Sequence, residues 1–384
     1  MVFGLSNLET IGILVVILLI LLVPLFLRRR IMSGVNRSVL EIEEMVTKGQ
    51  KILVDISNEK GNPPEDPEKA VLNFMEYFVI PPVDLDPTGI VQKLDKILEM
   101  SENSFKHMAE ELAPEADDEW ESNIVMTLKA TLGLNNVAKQ VRHNLELAKK
   151  TGNLQILLML QMSLPLIMRI VKAQFEGVEA FSQGKPIGDG LGPLVIGMIM
   201  ASDSPGKIKE QGEMVITNRD YHGRNVFMAR AKGPGARVGK VGKTINSIIE
   251  EEGIKRIITV DAAVKLEGEK TGSIAEGVGV VMGGSGVDRW EIEEKMMKED
   301  LQLDAIIVKM SPEEAVSPLT KEIRDAAIKT MPVVENSILR SKEGSKVLLV
   351  GIGNSSGLHN IIWDPSTVDI KKEDQNIEVR KWPF

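Results

Sequence analysis

Between Ile11 and Leu27 the chain reads IGILVVILLILLVPLFL, 17 residues without a charge, and Arg28, Arg29 and Arg30 follow at once. A bilayer core takes roughly 17 to 25 apolar residues in a helix. Extending the run back through Thr10 to Leu8 brings it well into that range. The flanks set a direction: three arginines follow the run, whereas Glu9 is the one charged side chain before it. Under the positive-inside rule, residues 8–27 are a single-pass anchor in a cell membrane, with the N-terminus outside and the bulk of the chain cytoplasmic. A cleaved signal peptide wants positive charge before the apolar run and small residues after it, and this chain has the reverse. The reading is an uncleaved transmembrane anchor over residues 1–30.

The remaining length exceeds one ordinary core and calls for two soluble domains. A net charge of -9 argues against a nucleic-acid partner, which needs a basic face. With no cysteine there is no disulfide, thiol nucleophile or cysteine metal site. The four histidines, at 107, 143, 222 and 359, include no pair at metal-ligand spacing.

Residues 31–183 read as a helical domain. Val35, Val39, Ile42, Met45 and Val46 recur at helical spacing and extend the anchor as an amphipathic helix. Pro63, Pro64 and Pro67 break it. A second proline-rich bend precedes a helix capped by Asp86, and a long helix is expected over Glu119–Lys149. The apolar stretch Leu154–Val171 contains Gln155, Gln161, Ser163, Pro165 and Arg169. It is read as a buried bundle helix, with a second membrane or re-entrant segment as the alternative. The bundle is expected to serve as a spacer or to bind protein partners or further copies of the chain.

Composition shifts at Gly184, and residues 184–384 alternate strands with helices. That pattern predicts a three-layer α/β domain with a mostly parallel sheet. GEMVITNRD and RNVFMARAK flank the turn DYHG as a hairpin; RIITVDAA, EGVGVVMG, DAIIVKMS and KVLLVGIGN read as further strands, and NIEVRKW as a last edge strand. Ligands of such sheets sit beyond the carboxyl ends of the strands. Loops leave those ends at Gly233, Asp261 and Gly351.

The stretch Ala231–Asp288 holds 12 of the 33 glycines. Its first part, GPGARVGKVGKT, sets Gly233, Gly235, Gly239 and Gly242 among Arg237, Lys240 and Lys243 ahead of a helix, which suits an anion. A P-loop needs glycine five residues before Gly242, and Arg237 stands there. A solvated basic loop is the plainer reading. In PIGDGLGP, Asp189 is either an N-cap or a carboxylate that flanking glycines leave open to a ligand or metal. Asp261, at the expected end of ITVD, is either a turn residue or an acid/base or metal-binding group. VGIGNSSG misses the dinucleotide pattern by one residue, and Ser355 and Ser356 have no evident base, although His359 is near.

The anchor ending in RRR, with GDGLGP, GPGARVGKVGK, VDAAVKLEGEKTG and VGIGN, resembles an uncharacterised family of archaeal membrane-anchored proteins along nearly the whole chain. The α/β part also resembles the hydrogenase-maturation and spore-germination proteases, whose strand with a GxGN-like turn, acidic glycine turn and strand ending in aspartate match VGIGN, GDGLGP and ITVDA in permuted order. That resemblance implies a peptidase-like hydrolase in which Asp189 and Asp261 meet across a cleft, as ligands of a divalent metal or as a catalytic carboxylate pair. The rival is a non-catalytic sensor or scaffold that binds a nucleotide or other anion at the membrane.

Overall fold

A computed structural model describes residues 7–63, 66–82, 89–201, 207–282 and 286–371. The Asp86 cap and the edge strand expected at 376–382 lie outside these residues. The chain packs as two compact units, Met1–Lys48 with Leu132–Lys172, and Gly49–Thr131 with Ala173–Phe384.

In the first unit the predicted amphipathic helix is one with the apolar run: α1 spans Asn7–Ile56 without interruption. Residues 11–20 are exposed throughout, whereas Ile31, Val35, Val39, Ile42, Met45 and Val46 are buried. They pack with parts of α4, Asp118–Thr151, and α5, Leu154–Ser182. Arg142 on α4 grips Glu43 through two hydrogen bonds, Nε at 2.8 Å and Nη2 at 2.5 Å, and Lys172 on α5 lies 2.7 Å from Glu41. By length and composition both α1 and α5 suffice to cross a membrane. The expectation of a buried helix over 154–171 is corrected: Leu157, Leu160, Leu164 and Val171 are buried, but Met159, Met162 and Leu166 are 63%, 81% and 56% exposed.

The second unit joins a helical portion to the α/β sheet. Its helical portion includes α2, Pro67–Phe74, and α3, Ile90–Leu112. Phe74, Tyr77 and Phe105 hold these together, with ring centroids 5.1 to 5.5 Å apart. The sheet contains β1 Lys209–Gln211, β2 Met214–Tyr221, β3 Arg224–Ala231, β4 Arg256–Val264, β5 Ser273–Val278, β6 Gln302–Met310 and β7 Lys346–Gly351. Its order is β1-β2-β3-β7-β4-β6-β5. The central pairs β3/β7, β7/β4 and β4/β6 are parallel; β1/β2, β2/β3 and β6/β5 are antiparallel. The sheet is therefore mixed, not mostly parallel, because hairpin β2–β3 and strand β5 add antiparallel margins.

Alternation along the strands assigns the two faces. Val226, Met228, Ile258, Val260, Val347 and Leu349 pack on α6, Leu191–Met200, and α10, Lys321–Leu339. Phe227, Ala229, Ile257, Leu348 and Val350 pack on α7, Val241–Glu252, and α8, Val287–Glu299. The short α9, Pro312–Val316, opens with a capping box between Ser311 and Glu314. The three layers are as the alternation of elements predicts. Strand β5 begins at Ser273, ahead of the expected EGVGVVMG.

At the carboxyl edge of β4 and β7 the backbones touch. A Cβ on Gly192 would stand 2.5 Å from the carbonyl oxygen of Val260 and 2.7 Å from the amide nitrogen of Ile352. Gly353, at φ +133°, has the carbonyl oxygen of Asp189 where a side chain would begin. Gly277 in β5 has nothing within 4 Å of its Cβ position. Gly192→Ala is expected to lose about 3 kcal/mol or more in urea unfolding of the full chain in detergent, because two backbones must separate. Gly277→Ala is expected to stay within about 0.5 kcal/mol of the parent. Equal effects would contradict the packing described here.

Candidate functional site

Strands β3, β7 and β4 run parallel, so the segments that follow them emerge on one edge of the sheet. Strand β7 stops pairing with β4 at Gly351, opposite Val260, while β4 continues against β6 to Val264. Asp261 is thus inside β4, at the first position where the strand has lost one neighbour, and not at its terminus. Its side chain is buried, and Oδ1 accepts a 2.6 Å hydrogen bond from the amide of Ala262.

Asp189 reaches the same edge from the other side of the sequence. Gly188–Gly190 form a single 3-10 turn before α6, and Gly190 takes the cap position with no side-chain cap. The N-cap reading of Asp189 therefore fails. Its Oδ2 instead accepts a 3.0 Å hydrogen bond from the amide of Asn354, in the segment after β7. That segment is tied to its neighbours by Ile352 N–H to Val260 O at 2.9 Å and Ser355 N–H to Arg237 O at 2.8 Å.

The two carboxyl groups are close enough to perturb each other. Burial pushes Asp261 up to about 9, the negative charge of Asp189 pushes the same way, and the Ala262 amide opposes both. Burial also raises Asp189, against the Asn354 amide, which favours its ionised form. Asp261 thus keeps its proton at neutral pH, while for Asp189 burial and the Asn354 amide act in opposite directions. Among the described residues no group of three or more His, Cys, Asp or Glu side chains could hold a metal ion. Two carboxyl groups, one of them protonated, are a poor donor set for a divalent metal.

The anion-binding residues lie elsewhere on the edge. Arg237, Gly239, Lys240 and Lys243 line a cavity of about 370 Å³, which Gly233, Gly235 and Gly242 do not line. Its wall carries eight carboxylates and six cations. The three cations expected to bind an anion are already engaged: Arg237 with Asp118 at 2.8 Å, Lys243 with Asp95 at 2.7 Å and Lys240 with Glu99 at 3.8 Å. The first turn of α7 is occupied too, since Gly242 N–H donates to Asp288 Oδ1 at 2.7 Å. The protein's own carboxylates stand where a phosphate would, and the excess of acid repels one. The Asp189–Asp261 pair is not part of this cavity's lining.

The serines are accounted for structurally. Ser355 Oγ, fully buried, lies 2.7 Å from Gly235 O and 2.8 Å from Lys232 O, and Ser356 Oγ donates to Lys185 O at 2.8 Å. His359 is exposed. Neither serine is an activated nucleophile. Two residues that sequence reasoning passed over also shape the edge. Asn354 supplies the amide on Asp189. Arg230, fully buried, donates to the carbonyls of Ala231, Leu358 and His359 at 2.9 to 3.1 Å, and burial lowers it to about 9. Its signal was parity: it shares a strand face with Val226 and Met228.

The pair makes a stability prediction with a definite sign. Asp261 has a folded value of about 9 and an unfolded value of about 4. Between these values the folded state keeps a proton that the unfolded state gives up, so its stability contribution is lost as pH rises through the window. Asparagine keeps the acceptor for Ala262 and does not titrate. Asp261→Asn is therefore expected to gain melting temperature relative to the parent as pH is raised from about 5 to about 9. Parallel curves for the two proteins would contradict a buried, protonated Asp261.

Comparison with known sequences bears on the whole chain. No curated protein and no solved structure matches it. Residues 9–184 match a family described as "Protein of unknown function (DUF1512) N-terminal domain", and residues 187–359 match "Domain of unknown function (DUF1512) C-terminal". With both domains present in order over most of its length, the chain belongs to the DUF1512 family.

Proposed function

We propose that the chain is a membrane-anchored hydrolase, peptidase-like, in which Asp189 and Asp261 act as an acid–base carboxylate pair. The observation that carries the reading is their shared environment: two neighbouring carboxyl groups, both raised, at the open end of β4. Asp261, raised to about 9, suits the acid, and Asp189, whose ionised form the Asn354 amide favours, suits the base. Asp189 takes a proton from water as the water oxygen attacks a substrate carbonyl. Asp261 gives its proton to the carbonyl oxygen, forming a gem-diol; the protonated Asp189 then delivers its proton to the leaving nitrogen as the C–N bond breaks, and a gem-diol hydroxyl returns a proton to Asp261. The exposed apolar run of α1 supports anchoring in a cell membrane, and the arginines after it support a cytoplasmic location for the pair. A nucleotide- or anion-binding sensor is less well supported, because its three candidate cations are held by Asp95, Glu99 and Asp118.

The test is cleavage of a quenched-fluorescent peptide library by the full chain in vesicles. Asp189→Asn and Asp261→Asn are each expected to lower the rate by about 100-fold or more. The parent rate is expected to fall as pH passes about 9, where Asp261 loses its proton. Cleavage that survives in both variants would remove the pair from catalysis. A melting-temperature rise with phosphate or nucleotide that disappears in Lys243→Ala would favour the sensor instead.

A further inference from the structure

We propose that the first turns of α5, Leu154 to Met162, form a second membrane contact beside the α1 anchor, inserting an apolar face into the interface of an anionic bilayer. The inference rests on reading α1 as the anchor. Leu158, Met159 and Met162 are 39%, 63% and 81% exposed on a helix whose opposite side, at Leu157 and Leu160, is buried. An exposed apolar stripe of this size on a single helix calls for a cover.

Position identifies the cover as lipid. Arg28, at the end of the apolar run, extends its side chain toward the α4–α5 turn, where its guanidinium lies 3.6 Å from the Cβ site of Gly152. Further along, Lys172 pairs with Glu41, so α5 runs beside α1 in the same direction. At 1.5 Å rise per residue on both helices, counting back from that pair brings Met159 level with Arg28 and Leu154 level with Val23 in the apolar run. A groove of about 490 Å³ between the helices agrees with this alignment: Leu27 and Arg30 line it from α1, and Leu164 and Met168 from α5. The apolar face of α5 thus continues the apolar surface of α1 across the level where headgroups begin. Arg28, Arg29 and Arg30, with Lys149 and Lys150 at the end of α4, surround that level with positive charge. Anionic headgroups complement such a ring, and a shallow apolar face supplies the remainder of the interaction.

The chain contains no cysteine, so single cysteines can be placed without background. Ile20→Cys in the apolar run, Met159→Cys on the α5 face and Gln140→Cys on an exposed site of α4 are labelled with an environment-sensitive fluorophore in the full chain. Each is reconstituted into phosphatidylcholine–phosphatidylglycerol vesicles with and without a spin-labelled lipid. Labels at 20 and 159 are expected to lose about half or more of their emission to the lipid quencher, and the label at 140 little. Quenching at 20 alone would overturn the inference and leave the anchor standing. Energy transfer between labels at 159 on different copies, without lipid quenching, would overturn it in favour of a second copy of the chain. Quenching at neither 20 nor 159 would overturn the anchor reading and this inference together.

Discussion

Backbone contact without side chains holds the carboxyl edge of the sheet together. The turn before α6 rests on the segment after β7 because Gly192 and Gly353 leave no atom between the two. That closeness is what lets Asn354 donate to Asp189, and what brings Asp189 near enough to raise Asp261. Burial here is strong because the glycines exclude water as well as side chains.

The same edge handles its positive charges in the opposite way. Arg237, Lys240 and Lys243 follow β3 in a stretch whose composition suits an anion, and α3 and the start of α4 meet them with carboxylates. The pairing joins the helical portion of this unit to the sheet. No cation is among the groups that act on Asp189 and Asp261, and burial raises both. Arg230 is held by carbonyl oxygens alone and fixes the course of the segment at Leu358 and His359.

Local periodicity made most of the elements legible. The burial of Val35, Val39 and Ile42, the hairpin β2–β3 and the start of α7 follow from spacing and turn chemistry. The permuted order of VGIGN, GDGLGP and ITVDA implied that Asp189 and Asp261 meet; the structure shows that the charge of Asp189 reaches Asp261 and raises it. What could not be read were partners supplied from far along the chain. Lys243 and Asp95 are 148 residues apart, and Arg237 and Asp118 are 119 apart. No window of sequence contains both. The mixed sheet was missed for a similar reason, since strand order depends on which edges remain free after the central strands have paired. The exposure of Met159 and Met162 was missed because apolar composition alone cannot distinguish a helix covered by protein from one covered by lipid.

The most direct test of a proton held on Asp261 is carboxyl carbon-13 NMR of the full chain labelled at aspartate, titrated with pH and compared with Asp261→Asn and Asp189→Asn. One resonance is expected to titrate near 9 and to be absent from Asp261→Asn, and its midpoint is expected to fall in Asp189→Asn, because the charge of Asp189 helps to raise it. Finding every aspartate ionised at neutral pH, with no high-pH resonance lost in Asp261→Asn or moved by Asp189→Asn, would contradict the account.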